Sequence, residues 1–347
     1  MKRFIDILVP SSACNLCCHY CYVPQETKQG NASVFEYEPK HIRKALSKRR
    51  LGGVCHFNVC GLGETLIPEI IVDITREILK EGHFVMIVTN GTLTERFHQF
   101  TKFPVELKHR LGFKFSFHYL ELVKRGMLDK FFDNIDLVKK AGMSFSVEIT
   151  PSDELEPYIK EIKGICRKRV GALPHLTIPR DMKVSEIILL SKHSMDKFMK
   201  KWEGFDSEML RFKLTTWGVK RREYCYAGVW SGLLNIGNGV LTACYCSKIT
   251  QNIFRDLSKP IKFVAIGKGC KMPHCYNSHA FLTLGNIPEI KGVYANIRNR
   301  KNEIDGSEWL RPEMKEFLSH RLENYNKKFT LIDKLRNYVR KRGMEKE

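Results

Sequence analysis

Through its first 200 residues the chain alternates short apolar runs with helical patterns, and this alternation narrows the possible folds more than any other feature. Residues 3–9, 54–61, 84–91, 113–119, 144–150 and 173–179 read as strands. Residues 41–50, 67–82, 128–143 and 155–169 read as helices, the second opened by Pro68 and closed by Gly82. Strands joined by helical crossovers pair in parallel. Six such units predict an α/β fold, an open or partial (β/α)6 barrel, short of the eight units of a closed one. In such sheets the working residues collect where the strands end.

The pattern breaks near residue 205. Two apolar runs within 225–246 flank Gly237-Asn238-Gly239, a β-hairpin signal. Beyond Pro312, Met314, Phe317, Leu318, Arg321, Leu322 and Tyr325 share one helical face, and Ile332, Leu335 and Val339 share another. The expected organisation is a barrel over 1–205, a small α+β domain over 206–300 and a helical extension over 301–347. The last stripe is expected to dock on the barrel, with a weak contact to an anionic membrane surface as the other reading.

Cysteine is the anomaly of composition, with 12 among 347 residues. The N-terminus holds no secretory signal, and no stretch reaches the ~18 apolar residues of a membrane span. The chain is therefore expected in the cytoplasm, where thiols stay reduced and clustered cysteines serve metals or redox chemistry. The net charge of +20, from 58 Lys and Arg against 38 Asp and Glu, favours an anionic partner without choosing one. The basic residues lack interleaved aromatics in a compact patch, so no specific nucleic-acid partner is expected.

Four cysteines fall within "CNLCCHYC", residues 14–21. Cys14, Cys18 and Cys21 follow C-x3-C-x2-C, unlike the paired C-x2-C hooks of a zinc ribbon. Three thiolates from one loop suit three irons of a [4Fe–4S] cluster, leaving the fourth iron open. Zinc and incidental thiols are the alternatives. Cys17 falls outside the spacing and reads as a bystander. Cys55, Cys60 and Cys166 are expected as small core residues.

This spacing, with Tyr20 before its last cysteine and directly after the first strand, resembles the radical S-adenosylmethionine (SAM) superfamily. The resemblance implies that the open iron chelates SAM, that an electron from the cluster cleaves it, and that the 5′-deoxyadenosyl radical takes hydrogen from a substrate. "CGLGETL", 60–66, is similar to the family's Gly-Gly-Glu segment, which implies SAM contacts for Gly61, Gly63 and Glu64; Leu62 departs from it. Tyr20 belongs to the same implied cofactor site. Thr89 and Asn90 end strand three within reach of SAM or substrate, and Ser116 is implied at the ribose hydroxyls. His118 and Glu148 are the candidate catalytic side chains. Arg180, after strand six, could bind an anionic substrate group.

A second set of cysteines lies at Cys225, Cys244, Cys246, Cys270 and Cys275. A hairpin brings Cys225 and Cys244 together, and "CKMPHC" adds a C-x4-C pair. With "CYAG" at 225–228 and "GNI" at 285–287, the region resembles the SPASM or twitch auxiliary-cluster domains. The resemblance implies one auxiliary [4Fe–4S] cluster on Cys225, Cys244, Cys270 and Cys275, with Cys246 competing with Cys244 or lying beside it. Spacing alone leaves zinc open.

The expected function is that of a radical SAM enzyme, an oxidoreductase acting on a polar small molecule such as a sugar or nucleotide-sugar by oxidation or epimerisation, with the auxiliary cluster transferring electrons. A reducing partner such as flavodoxin or ferredoxin is implied. Peptide modification is the first alternative, weakened because the chain enters strand one at once. RNA modification, motivated by charge, is the second.

Overall fold

The alternating pattern folds as its periodicity requires. The computed structural model describes residues 1–22, 33–181, 183, 186–268 and 270–344. Its parallel strands are β1 (Phe4–Val9), β2 (His56–Gly61), β3 (Phe84–Thr89), β4 (Leu111–Ser116), β5 (Ser144–Ile149) and β6 (His175–Leu176). The crossovers include α1 (Pro39–Ala45), α2 (Ile70–Lys80), α3 (Thr94–Thr101), α4 (Leu128–Lys140) and α5 (Ile159–Val170). Strand four begins and ends earlier than the apolar run at 113–119: beyond the strand end Phe117 packs on Phe131 and Phe132 of α4, and Tyr119 packs on Phe117. Strand six shrinks to two residues at the sheet edge.

Successive side chains of a strand point to opposite faces. Ile5, Ile7, Phe57, Val59, Val85, Ile87, Phe113, Phe115, Phe145 and Val147 point outward into one buried layer with the helices. Each such side chain contributes roughly 1.5–3 kcal/mol on burial. The opposite face holds Phe4, His56 and Met86 at its lower end and polar residues above. In register these are Asp6 beside Asn58, Lys114 beside Ser146, and Ser116 beside Glu148, with Cys60 beside the apolar Leu8. Asp6 on β1 lies in the field of Lys114 on β4, and Cys60 on β2 in that of Glu148 on β5. The sheet therefore curls into a partial barrel with a polar lumen.

The later chain completes the barrel at both of its weak points. The expected hairpin forms from β7 (Ser231–Asn235) and β8 (Val240–Thr242), with β9 (Thr250–Asn252) added beyond it. These strands continue the barrel sheet: β7 pairs in parallel with β1, and the order is β9-β8-β7-β1-β2-β3-β4-β5-β6. Helices α6 (Met195–Trp202) and α7 (Glu208–Thr216) precede them. The floor is plugged by Phe281, Leu284, Tyr294, Ile297, Leu310, Met314, Leu318 and Leu322, packed with Phe4 and Met86.

Two expectations for the C-terminal helices change. The first helix, α8 (Pro312–Ser319), stops before Arg321; Met314, Leu318 and Leu322 are buried, while Tyr325 is exposed. In α9 (Leu331–Met344), Ile332, Leu335 and Val339 do not dock; they face outward, 60%, 68% and 69% exposed. The helix is held by its other side. Asn337 accepts from the Ala265 N–H at 2.8 Å and donates to its carbonyl at 3.0 Å, and Lys341 Nζ donates to the Ile266 carbonyl. One bidentate amide thus sets the helix orientation that the apolar stripe was expected to set.

Candidate active site

The cysteine loop leaves the end of β1 and is braced from three sides. From β2, Gly63 N–H donates to the Ser11 carbonyl at 2.9 Å and Glu64 N–H to the Ala13 carbonyl at 2.8 Å. A Cβ on Gly63 would lie 2.0 Å from the Ala13 oxygen, so only glycine lets the two backbones meet. From β3, Asn90 donates to the Asn15 side chain at 2.8 Å and points its Nδ2 at the Cys14 sulfur at 3.9 Å, while Asn15 donates to Thr92 at 2.8 Å. After β4, Glu121 accepts from the Cys17 N–H at 3.0 Å and from Arg125 at 2.9 Å. Tyr20 Oη and His118 Nδ1 share a hydrogen bond of 2.7 Å.

These braces turn three thiols to one side. Cys17 is exposed, while Cys14, Cys18 and Cys21 are half-buried. Burial raises the Cys18 thiol pKa, and the charges of Cys21 and Cys14 raise it further. These thiols stay protonated unless a cationic body is bound among them to stabilise the thiolates. His118 is held neutral, its pKa lowered to about 4 by burial against the opposing pull of Glu121.

Glu64 is buried and already engaged. It accepts from Thr89 Oγ1 at 2.7 Å, Asn90 N–H at 2.6 Å and Leu66 N–H at 3.0 Å. Thr89 and Asn90 are themselves buried within this network. These residues hold the rim of the site, with Gly61 N–H donating to Thr65 Oγ1 at 2.9 Å beside them.

Below the loop lies the lumen. Glu148 forms a salt bridge with Arg298, which is fully buried, and keeps 20% of its own side chain exposed toward the hollow. Burial would raise the Glu148 pKa, but Arg298, Lys114 and Lys213 outweigh it and hold the carboxylate ionised. Lys213, from α7, has its pKa lowered to about 7, chiefly by burial, with Glu148 opposing and Arg180, Arg298 and Lys114 adding to the fall. Asp6 is raised to about 6 by burial although Asn58, Tyr245 and Asn277 all donate to it, at 2.5, 3.0 and 2.5 Å. Cys60 is not a core residue: it faces this polar layer, in the field of Lys114, Asp6, Glu64 and Glu148, whereas Cys55 and Cys166 are fully buried among apolar side chains.

Sequence reasoning looked at strand ends and missed Asp6, Asn58, Lys114, Lys213 and Arg298. For the first three a signal existed. A polar residue at every second position of an otherwise apolar strand marks a wet inner face. Nothing in the local sequence marks Lys213 or Arg298, which arrive from distant elements.

The second cysteine set gathers on the far side of the lumen. The thiol of Cys225 lies in the field of Cys244, Cys275 and Cys270. Cys246 is exposed and sits toward Cys270 and Arg180. Cys225 is anchored by a two-way backbone pair with Gly267, at 3.1 and 2.9 Å. In "CYAG", a Cβ on Gly228 would lie 2.0 Å from the Val264 oxygen. In "GNI", the Asn286 carbonyl accepts from Tyr226 N–H at 2.9 Å and its side chain donates to Ser231 at 2.6 Å. Tyr245 and Asn277, beside Cys244 and Cys275, are the residues that reach Asp6, so this set abuts the hollow. Among the described residues, the metal-ligand atoms that converge within 4.8 Å of one another in a group of three belong to Asp153, Glu156 and His193, not to cysteines.

A family model for the radical SAM superfamily matches residues 8–152. The chain carries a radical SAM domain. A radical SAM domain binds a [4Fe–4S] cluster and SAM, and the matched span holds the C-x3-C-x2-C loop. Among solved structures, Streptococcus suis SuiB bound to S-adenosylmethionine is similar at 14% identity and a TM-score of 0.51, over 74% of this chain. The chain spans 65% of SuiB's length. Native anSMEcpe with bound AdoMet is similar over 99% of this chain and 98% of its own, at 15% identity and a TM-score of 0.52. The same protein with AdoMet and Cp18Cys peptide matches at 14% identity and 0.51, over 98% of this chain and 96% of its own. These likenesses show that the fold, including the region after the radical SAM domain, is shared. No curated protein matches the sequence. No helix among the described residues is long and apolar enough to cross a membrane.

Proposed function

We propose that this radical SAM domain serves an oxidation of a polar small molecule held in the lumen between the two cysteine sets. The observation that carries the reading is the composition of the wall. Asp6, Asn58, Cys60, Lys114, Ser116 and Glu148 line a space that an apolar substrate would leave with unpaired polar groups. When bound, a cluster on Cys14, Cys18 and Cys21 would supply the electron that cleaves SAM to a hydrogen-abstracting radical, and one on Cys225, Cys244, Cys270 and Cys275 a place for the second electron of an oxidation. A flavodoxin- or ferredoxin-like partner would deliver the first electron.

The side chains divide the remaining work. Glu148, ionised by its neighbours, accepts a hydrogen bond from a substrate hydroxyl and takes the proton released on oxidation. His118, neutral and tied to Tyr20, is a positioning residue for the cysteine loop. Tyr20, Gly61, Gly63, Glu64, Thr89, Asn90 and Ser116 frame the SAM side of the lumen. Cys244 stands in the second ligand set and Cys246 at its edge. Anaerobically reconstituted protein incubated with deuterium-labelled metabolites from its host should move deuterium from one small molecule into 5′-deoxyadenosine, leaving that molecule two hydrogens poorer. Transfer from the peptide fraction alone would put peptide modification first. That alternative stays open because anSMEcpe, of the same fold, was solved with a peptide. RNA modification has the +20 charge in its favour and nothing further.

The outward stripe of α9 gives a membrane contact a physical basis. Leu331, Ile332, Leu335, Tyr338 and Val339 are all at least 58% exposed, and Arg336, Arg340 and Arg342 lie exposed among them. Apolar residues flanked by cations match an anionic lipid surface. The full chain should sediment with phosphatidylserine vesicles in low salt and be released by salt, and Leu335→Ser with Val339→Ser should cut the bound fraction at least fivefold. A dimer in solution that dissociates with the same two changes would mean that a second copy covers the stripe instead.

A further inference from the structure

Two loops of the second cysteine set converge on one atom of the first strand. Asp6 stands on the inner face of β1 and is 1% exposed. Its Oδ1 accepts from Asn58 Nδ2 of the neighbouring strand at 2.5 Å. Its Oδ2 accepts from Tyr245 Oη at 3.0 Å and from Asn277 Nδ2 at 2.5 Å, partners 239 and 271 residues away. Tyr245 lies between Cys244 and Cys246, and Asn277 two residues past Cys275. Asn277 is at the N-cap of the helical turn Ser278–Phe281, where asparagine ordinarily caps the helix, yet its side chain makes no cap hydrogen bond and goes to Asp6 instead. Tyr245 packs its ring on Phe281 of that turn, centroids 5.9 Å apart.

The other local contacts of these loops do not reach β1. The Cys244 carbonyl accepts from Ser247 N–H at 2.9 Å and the Cys275 carbonyl from Ser278 N–H at 3.2 Å, turns that shape each loop from within. Burying a carboxylate costs free energy unless its lone pairs are met. An apolar side chain would fill the same place in β1 without that cost, but it could not draw two distant loops to a fixed point.

We infer that Asp6 is a positioning residue for the second cysteine set, holding the Cys244 and Cys275 loops against the barrel through Tyr245 and Asn277. This rests on the reading of Cys225, Cys244, Cys270 and Cys275 as a ligand set. The hold reaches the sulfurs through the backbone. Burial raises the Cys275 and Cys244 thiols, and the N–H of Asn277 opposes the first shift while those of Cys246 and Tyr245 oppose the second.

The first test needs no metal. In the reduced, metal-free full chain, alkylation of each cysteine by iodoacetamide is timed by peptide mass spectrometry. Asp6→Ala should speed Cys244 and Cys275 at least tenfold. Cys225, pinned by its backbone pair with Gly267, and Cys55 and Cys166, in the apolar layer, should keep their rates. Asn277→Ala should speed chiefly Cys275, and Tyr245→Phe chiefly Cys244. Adding either to Asp6→Ala should change nothing further, because the hydrogen bond it removes is already gone. Asp6→Asn should stay near the wild type. Its amide oxygen can accept from Tyr245 and Asn277, and its N–H can donate to Asn58 Oδ1, now buried without a partner, once that amide turns. Equal acceleration at Cys225, Cys55 and Cys166 would mean that Asp6 serves the barrel as a whole, and unchanged rates at Cys244 and Cys275 would detach it from the set; either result overturns the inference. If Asp6→Ala does not fold, unchanged rates in the Tyr245→Phe, Asn277→Ala double variant overturn it. The ligand reading is measured apart. With Cys14, Cys18 and Cys21 replaced by alanine, the reconstituted chain should hold about four irons, and Asp6→Ala should at least halve them. No iron with Asp6 intact sinks the ligand set alone; undiminished iron and unchanged alkylation in Asp6→Ala sink the Asp6 assignment alone.

Discussion

Replacing Cys14, Cys18 or Cys21 by alanine should abolish reductive cleavage of SAM to 5′-deoxyadenosine and methionine, whereas Cys17→Ala should retain most of it. Each of the three supplies a thiol to the half-buried side of the loop, and losing one leaves an iron without its ligand. Cys17 is exposed and takes part through its backbone, whose N–H donates to Glu121 at 3.0 Å. Alanine keeps that N–H. The measurement is anaerobic product analysis with a chemical reductant, which needs no substrate. Loss of cleavage in Cys17→Ala together with survival in Cys18→Ala would exchange their roles and overturn the ligand set.

Gly63→Ala should be nearly as damaging, although it removes no ligand. The added Cβ would stand 2.0 Å from the Ala13 oxygen, 2.6 Å from its carbonyl carbon and 2.7 Å from that of Ser12. All three are backbone atoms, so no side chain can swing aside. Separation breaks the Gly63–Ser11 and Glu64–Ala13 hydrogen bonds and pulls the cysteine loop out of shape. Iron should fall from about eight to about four per chain, the remainder being a second [4Fe–4S] cluster with its own absorbance, and SAM cleavage should drop to background. Gly164→Ala is the control. Nothing lies within 4 Å of its Cβ position, and in the middle of a helix the change should stabilise by up to about 1 kcal/mol. A Gly63→Ala protein with full iron and wild-type cleavage would mean that the loop does not need this brace.

Several parts of the molecule are legible in the amino-acid sequence. The parallel strands follow from apolar runs whose length and spacing leave few other ways to bury them. The gathering of Cys14, Cys18 and Cys21 on one loop is legible because within a single loop sequence distance and spatial distance nearly coincide. The hairpin at Gly237-Asn238-Gly239 is legible for the same local reason. Glu64 is legible as a residue of the site. Its engagement with Thr89, Asn90 and Leu66 is not, because two of those partners come from another strand.

Other features depend on how distant segments meet, and no local pattern encodes them. That the hairpin extends the barrel sheet along β1 is a pairing across more than 220 residues. The salt bridge of Glu148 with Arg298 and the position of Lys213 bring together three elements far apart in sequence. The α9 stripe shows the limit of periodicity. Ile332, Leu335 and Val339 do share one helical face, as their spacing requires, but spacing cannot say which way that face turns. Asn337 and its two hydrogen bonds to Ala265 decided that, because pairing a buried amide with a buried backbone group fixes the helix rotation regardless of where the apolar residues then point. The sequence by itself determined the α/β class and the cysteine spacing of the first loop, both set by short-range geometry. Tertiary structure alone decided the charge of the lumen and the outward face of the last helix, because each is a balance among groups that only folding makes neighbours.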